Sequence, residues 1–329
     1  MLDKMLYNTV LCQTFSPCGK YLVAGNIYGQ IVCYYNVNSL GRILEPVPEL
    51  LTSDYNKPRH IHTLVSKGEI CSLASTEQFL IVGTYSEIFG YTWKAITSAK
   101  LEKPSWSIAI PNQSSISQPE VNSIWLTDDG NRLYAGCGNN NIYVANLEDG
   151  RIEATLGGHQ DLIHSVHGKG HQLVSASEDG TVMLWDRRTS KSHNKLEPHT
   201  NSKLQRPDIG KWVGSAALSD DWIICGGGPR LALWHVRSLD AVTVFDIPDH
   251  GIHVSFFHDD CVYAGGAAKH LYQLSYSGEV KVELPVSATC VYSAILRTSP
   301  NKVLTIAGSS SQIDLCTSFN YRDQILNFR

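Results

Sequence analysis

What this 329-residue sequence lacks narrows its function first. It has no apolar run of about eighteen residues, the length that a bilayer-spanning helix needs. Its amino terminus, MLDKMLYNTVLCQ, has no basic stretch leading into an apolar one, so no secretory leader is read there. The longest basic run is Arg187-Arg188, too short for an import patch, and the formal net charge is −4. Affinity-dominating contact with nucleic acid needs clustered Lys and Arg, and is therefore not expected. Nine cysteines are present, but no two form a C-x-x-C pair, which removes the zinc-ribbon and thioredoxin readings. Odd in number and scattered through apolar runs, they read as small core side chains of a reducing compartment. H-E-x-x-H, G-x-S-x-G and the Lys-Ser/Thr end of a phosphate loop are all missing. No stretch carries a convincing helical period.

What is present is a repeat. Residues 157–188 read GGHQDLIHSVHGKGHQLVSASEDGTVMLWDRR: three short β-patterned runs between a Gly-His pair and a Trp-Asp pair, separated by Gly-Lys-Gly and Glu-Asp-Gly turns. This resembles one WD40 repeat, whose spacing is set by a buried hydrogen-bond chain. His159 is expected to contact Asp179, with Ser177 and the Trp185 indole extending the chain across two strands. The four residues are thus read as structural rather than catalytic. With this stretch as template, matching repeats fall near 10–65, 70–110, 121–156, 159–196, 212–247, 252–284 and 290–328. At the position of Trp185 the other repeats carry Tyr34, Trp93, Ala145 and Trp234, and the last two have no Trp.

The expected fold is all-β, a seven-bladed WD40 β-propeller occupying residues 1–329 as one domain, with strands at 88–93 and 324–328 among its members. Seven sheets in a ring leave no long open edges. Segments 39–57 and 97–119 read as surface insertions. The thirteen histidines do not cluster; His60 and His62 alternate on one strand, which reads as a solvated edge. The run Gly226-Gly227-Gly228-Pro229 reads as close backbone passage at a blade edge rather than a phosphate cradle. No catalytic residue, metal, cofactor, membrane contact or small-molecule substrate is expected. A rigid disc of this kind presents surface to other proteins, and Arg187, Arg188, Arg230 and Arg237 are candidate partner-facing residues, since Arg anchors interfaces out of proportion to its abundance.

Three stretches are similar to one family in particular: SPCGKYLVAGNIYGQI at 16–31, the repeat at 158–186, and KWVGSAALSDDWIICGGGPRLALWHVRS at 211–238. They resemble the THO complex subunit 6 family. The resemblance implies a non-catalytic scaffold in the nuclear assembly that couples transcription and processing to messenger-RNA export. It also implies contact with the other THO subunits, notably coiled-coil subunits 5 and 7, and with the wider TREX assembly, RNA being reached mostly through them. A second resemblance lies in Trp185-Asp186-Arg187-Arg188, which is similar to the W-D-x-R box of substrate receptors that dock on the adaptor of cullin-4 ubiquitin ligases. On that reading Arg188 is the docking residue.

Overall fold

Short β-branched and aromatic runs separated by Gly, Asp and Asn turns fold into consecutive antiparallel hairpins, because such residues fill a pleated surface and such turns reverse it. The computed structural model describes residues 7–35, 56–64, 68–112, 118–248, 250–299 and 301–328. Its strands form seven four-stranded sheets, each built from four strands consecutive in the chain. The chain is thus a seven-bladed β-propeller. The innermost strands are Val10–Phe15, Ser72–Ser75, Val121–Leu126, Ile163–Lys169, Val213–Leu218, Ile252–His258 and Val291–Arg297. The bulk of segment 39–57 and residues 113–117 of segment 97–119 lie outside the described residues.

Each blade has two faces, and each face is covered by a neighbour. The seven apolar clusters of the core correspond one to one to the seven blade–blade contacts. Ring closure follows the same rule. Gln324–Asn327 is the outermost strand of the last blade, and all four strands of that blade come from the carboxy-terminal stretch. The first and last blades therefore share no strand. They are joined by packing of Val10, Leu22 and Tyr34 against Ile313, Leu326 and Phe328, and by the Tyr34 hydroxyl, which donates to the Asn327 carbonyl at 2.7 Å.

Register corrects one expectation. Trp185 stands opposite Leu173, and in the same way Tyr34 faces Leu22, Ala145 faces Leu133 and Trp234 faces Ile223. In the second blade the residue so placed is Tyr91, opposite Leu80, not Trp93. The strand Glu87–Thr92 stops one residue short of Trp93 because Thr92 caps a single helical turn, Trp93–Ile96, accepting the Ala95 N–H at 3.2 Å. The Trp93 indole instead donates to the Thr76 carbonyl at 3.0 Å. In the segment that follows, Trp106–Ala109 supplies the fourth strand of the blade, its indole seated against Gly90, where a Cβ would collide with the ring.

Candidate functional site

The polar centre of the fourth blade is a directed hydrogen-bond chain. Asp179, in the turn after Gln172–Ser177, accepts from His159 Nδ1 at 2.8 Å and from the Gln160 N–H at 2.9 Å. With its Nδ1 proton on Asp179, His159 presents Nε2 as an acceptor, and the Ser175 hydroxyl fills it at 2.7 Å. Ser175 Oγ in turn accepts the Trp185 indole N–H at 2.9 Å. Every polar atom of this line has a partner, as a buried line requires. Burial by itself would raise the Asp179 carboxyl, but hydrogen bonds from His159, Gln160 and Thr181 outweigh it and hold the group well below the usual carboxylate range.

The link between His159 and Trp185 is Ser175, where the sequence reading had placed Ser177. The two serines lie on the same face of one strand, so alternation does not separate them; distance along the strand does. Ser175 is one side-chain step from Leu173, the residue opposite Trp185, while Ser177 lies two steps away, about 13 Å at strand rise. Ser177 serves the turn instead, accepting the Asp179 N–H at 3.1 Å and donating to the Asp161 carbonyl at 3.0 Å.

Asp179, His159 and Ser175 stand in the order of a hydrolase triad, yet the arrangement is closed to chemistry. The His159 side chain is 0% exposed and Ser175 is 0% exposed, so no substrate reaches the hydroxyl. The hydroxyl is also held from its far side by the indole, which leaves it no freedom to attack.

The four candidate arginines are placed differently. Arg187 is turned inward: its guanidinium lies 4.8 Å from the Trp125 ring and 5.4 Å from the Tyr134 ring and donates to the Gly170 carbonyl, tying the fourth blade to the third. Arg188 is exposed and forks onto Asp186 at 3.0 and 2.6 Å. The forked Arg188 guanidinium holds the Asp186 carboxyl well below its usual range. Arg230 pairs with Asp246 at 3.1 Å, and Arg237 is exposed in the turn after Ala232–His235. Arg187 and Arg188 thus belong to the fourth blade, and Arg230 and Arg237 to the fifth. Sequence reasoning missed Arg206. Its guanidinium donates to the carbonyls of Gly227, Gly228 and Pro229 at 3.0, 2.7 and 3.2 Å, fastening the glycine run down. In that run Gly227 and Gly228 lie against the carbonyls of Trp212 and Gly210, where a Cβ would collide.

His60 and His62 stack at 5.9 Å, and His62 is buried, with Nε2 hydrogen-bonded to the Ile96 carbonyl at 2.8 Å, so this pair is not a solvated edge throughout. Among the described residues no three His, Cys, Asp or Glu side chains are grouped to hold a metal ion. None of their helices is long and apolar enough to cross a membrane.

A closed ring of seven four-stranded blades with this His–Ser–Trp line in one of them defines a WD40 propeller. Residues 150–186 match the family "WD domain, G-beta repeat". A crystal structure of the WD40 β-propeller domain of Doa1 superposes with a TM-score of 0.70 over 94% of this chain and 93% of that one, at 13% identity, which speaks for the fold alone. Sequence similarity goes further. The chain is 38% identical over 322 residues to THO complex subunit 6 of Drosophila melanogaster, covering 97% of this chain and 89% of that protein. It is 33% identical to the human THO complex subunit 6, over 98% of this chain and 94% of that protein, and 33% identical to the Danio rerio homolog, over 99% of each. The chain belongs to the THO complex subunit 6 family, and its propeller is a non-catalytic scaffold.

Proposed function

We propose that this protein is the propeller scaffold of a nuclear THO complex, coupling transcription and processing to messenger-RNA export. It would bind the coiled-coil subunits 5 and 7 and, through them, the wider TREX assembly. The observation that carries this reading is similarity to THO complex subunit 6 proteins over nearly the whole chain, at 38% identity in the fly. The charge distribution supports indirect contact with RNA: net charge is −4, and Arg188 and Arg230 are each paired with a carboxylate. A second reading, docking on the cullin-4 adaptor, is favoured by the exposure of Arg188, whose side chain is 65% accessible although it is paired with Asp186.

One experiment addresses both. The tagged protein is drawn from nuclear extract with and without nuclease, and bound chains are identified by mass spectrometry. THO subunits that remain after nuclease treatment support the scaffold reading. Recovery of the cullin-4 adaptor without THO subunits, lost on Arg188→Ala, would replace it.

A further inference from the structure

Every inner strand starts on the same face of the ring, so the residues at their starts surround one mouth of the central channel. The channel lining holds no Lys, Arg, Asp or Glu among the described residues. At four consecutive blades the second residue of the inner strand facing this mouth is His164, Gly214, His253 and Tyr292. Gly214 leaves a gap, and Trp212 fills it. The indole stacks on His253 at 5.0 Å with a 20° tilt and meets the edge of His164 at 6.2 Å, while His253 lies 5.1 Å from Tyr292.

The slot for Trp212 is built into the backbone. A Cβ on Gly214 would lie 2.7 Å from the indole, and one on Gly251 would lie 2.8 Å from it, so a side chain at either position would push the ring out. The indole N–H donates to the Ile209 carbonyl at 3.2 Å, which fixes the ring plane. All four rings are partly accessible. The part of these rings that is not packed on a neighbour lies at the channel mouth, where a ligand can meet it.

The charge at the mouth is negative. Glu178 holds His164 Nε2 at 2.8 Å on one side. Across the channel Glu69 and Glu120 precede the inner strands of the second and third blades, and neither has a basic partner among the described residues. Burial first, and then the neighbouring Glu120 charge, raise the Glu69 carboxyl above its usual range, so a cation placed there relieves a repulsion. Burial, and after it the neighbouring His164, push His253 down to about 4, which keeps that imidazole uncharged at neutral pH. Lys211, the basic residue beside Trp212, lies against Gly180 instead.

We infer that this mouth binds the guanidinium of an arginine side chain presented by an extended, basic segment of a partner subunit. A guanidinium is flat, stacks on an indole or imidazole face and keeps donors free at its edge for carboxylates. An ammonium lacks the plane, and a neutral urea lacks the charge. The inference deepens the scaffold reading, on which it rests, by naming what one partner contact recognises.

The test uses the full chain labelled with nitrogen-15 and an acetylated, amidated Gly-Ser-Ala-Arg-Gly-Ser peptide. The Trp212 indole resonance is assigned by its disappearance in Trp212→Phe. The arginine peptide is expected to shift that resonance and not the buried Trp185 indole. Replacing its arginine by citrulline should weaken binding at least about tenfold, and by lysine about threefold. A Glu69→Gln, Glu120→Gln double variant, with both positions outside the core, should weaken the arginine peptide about threefold at unchanged melting temperature. No shift of Trp212, or equal binding of the citrulline or lysine peptide, overturns the inference. Recovery of THO subunits by the wild type is scored separately. If they are absent while the peptide binds, the scaffold reading fails and the arginine site stands.

Discussion

Replacing Ser175 by alanine removes one oxygen and leaves two buried partners. Ser175 Oγ accepts the Trp185 indole N–H at 2.9 Å and donates to His159 Nε2 at 2.7 Å. Trp185 is 2% exposed and His159 5%, so water does not replace the lost hydroxyl. Each buried polar group left without a partner costs about 1–3 kcal/mol, so the variant should lose about 2–6 kcal/mol. Ser177→Ala is the control on the same strand face. Its partners are the Asp179 N–H and the carbonyl of the exposed Asp161, close enough to solvent to be rehydrated, and it should cost about 0.5–1.5 kcal/mol. Urea unfolding reads both, as a shift in midpoint at unchanged slope. Adding Trp185→Phe to Ser175→Ala removes the orphaned indole N–H as well, and the pair should cost less than the sum of the two single changes. The reasoning is refuted if Ser175→Ala lies within about 0.5 kcal/mol of wild type, or if Ser177→Ala is the more damaging.

Two further outcomes follow from the same geometry. Trp185→Ala should cost about 3–5 kcal/mol, as truncation of a buried aromatic does, and an unchanged melting temperature would contradict the packing described. Burial, reinforced by Lys169, pushes His167 down to about 4, whereas an unfolded histidine titrates near about 6.5. Between those values the unfolded chain binds more protons than the native one, so stability must fall as pH drops from about 6.5 to 4, His253 contributing in the same window. His167→Leu should flatten part of that slope in urea titrations at stepped pH; an identical slope would show that the imidazole is not held neutral.

Much of the fold was legible because its causes are local. A Gly-His start, an Asp-Gly turn and a Trp-Asp end within residues 157–188 determine the three inner strands of a blade by hairpin geometry and hydrogen bonding between near neighbours. Similar strand and turn spacings elsewhere carried the other blades even where the Trp was absent. The aromatic of the second blade is misassigned from the sequence because Tyr91 and Trp93 are both large and share one phase of the strand alternation, and what separates them is that Thr92 caps a helical turn beginning at Trp93. Ser175 and Ser177 share a face in the same way, and only the register against Leu173 and Trp185 separates them.

The chain alone determined the β architecture and the identity of the buried polar residues His159, Asp179 and Trp185, since these depend on contacts within one repeat. Tertiary structure decided what surrounds the channel. His164, Trp212, His253 and Tyr292 come from four blades and span well over a hundred residues of sequence, so no local period relates them. It also decided that Arg187 turns inward onto Trp125 while Arg188 stays exposed. Both facts arise because a propeller closes by packing each sheet on its neighbour, and that packing sets which side chains face the ring's interior, the channel and the solvent.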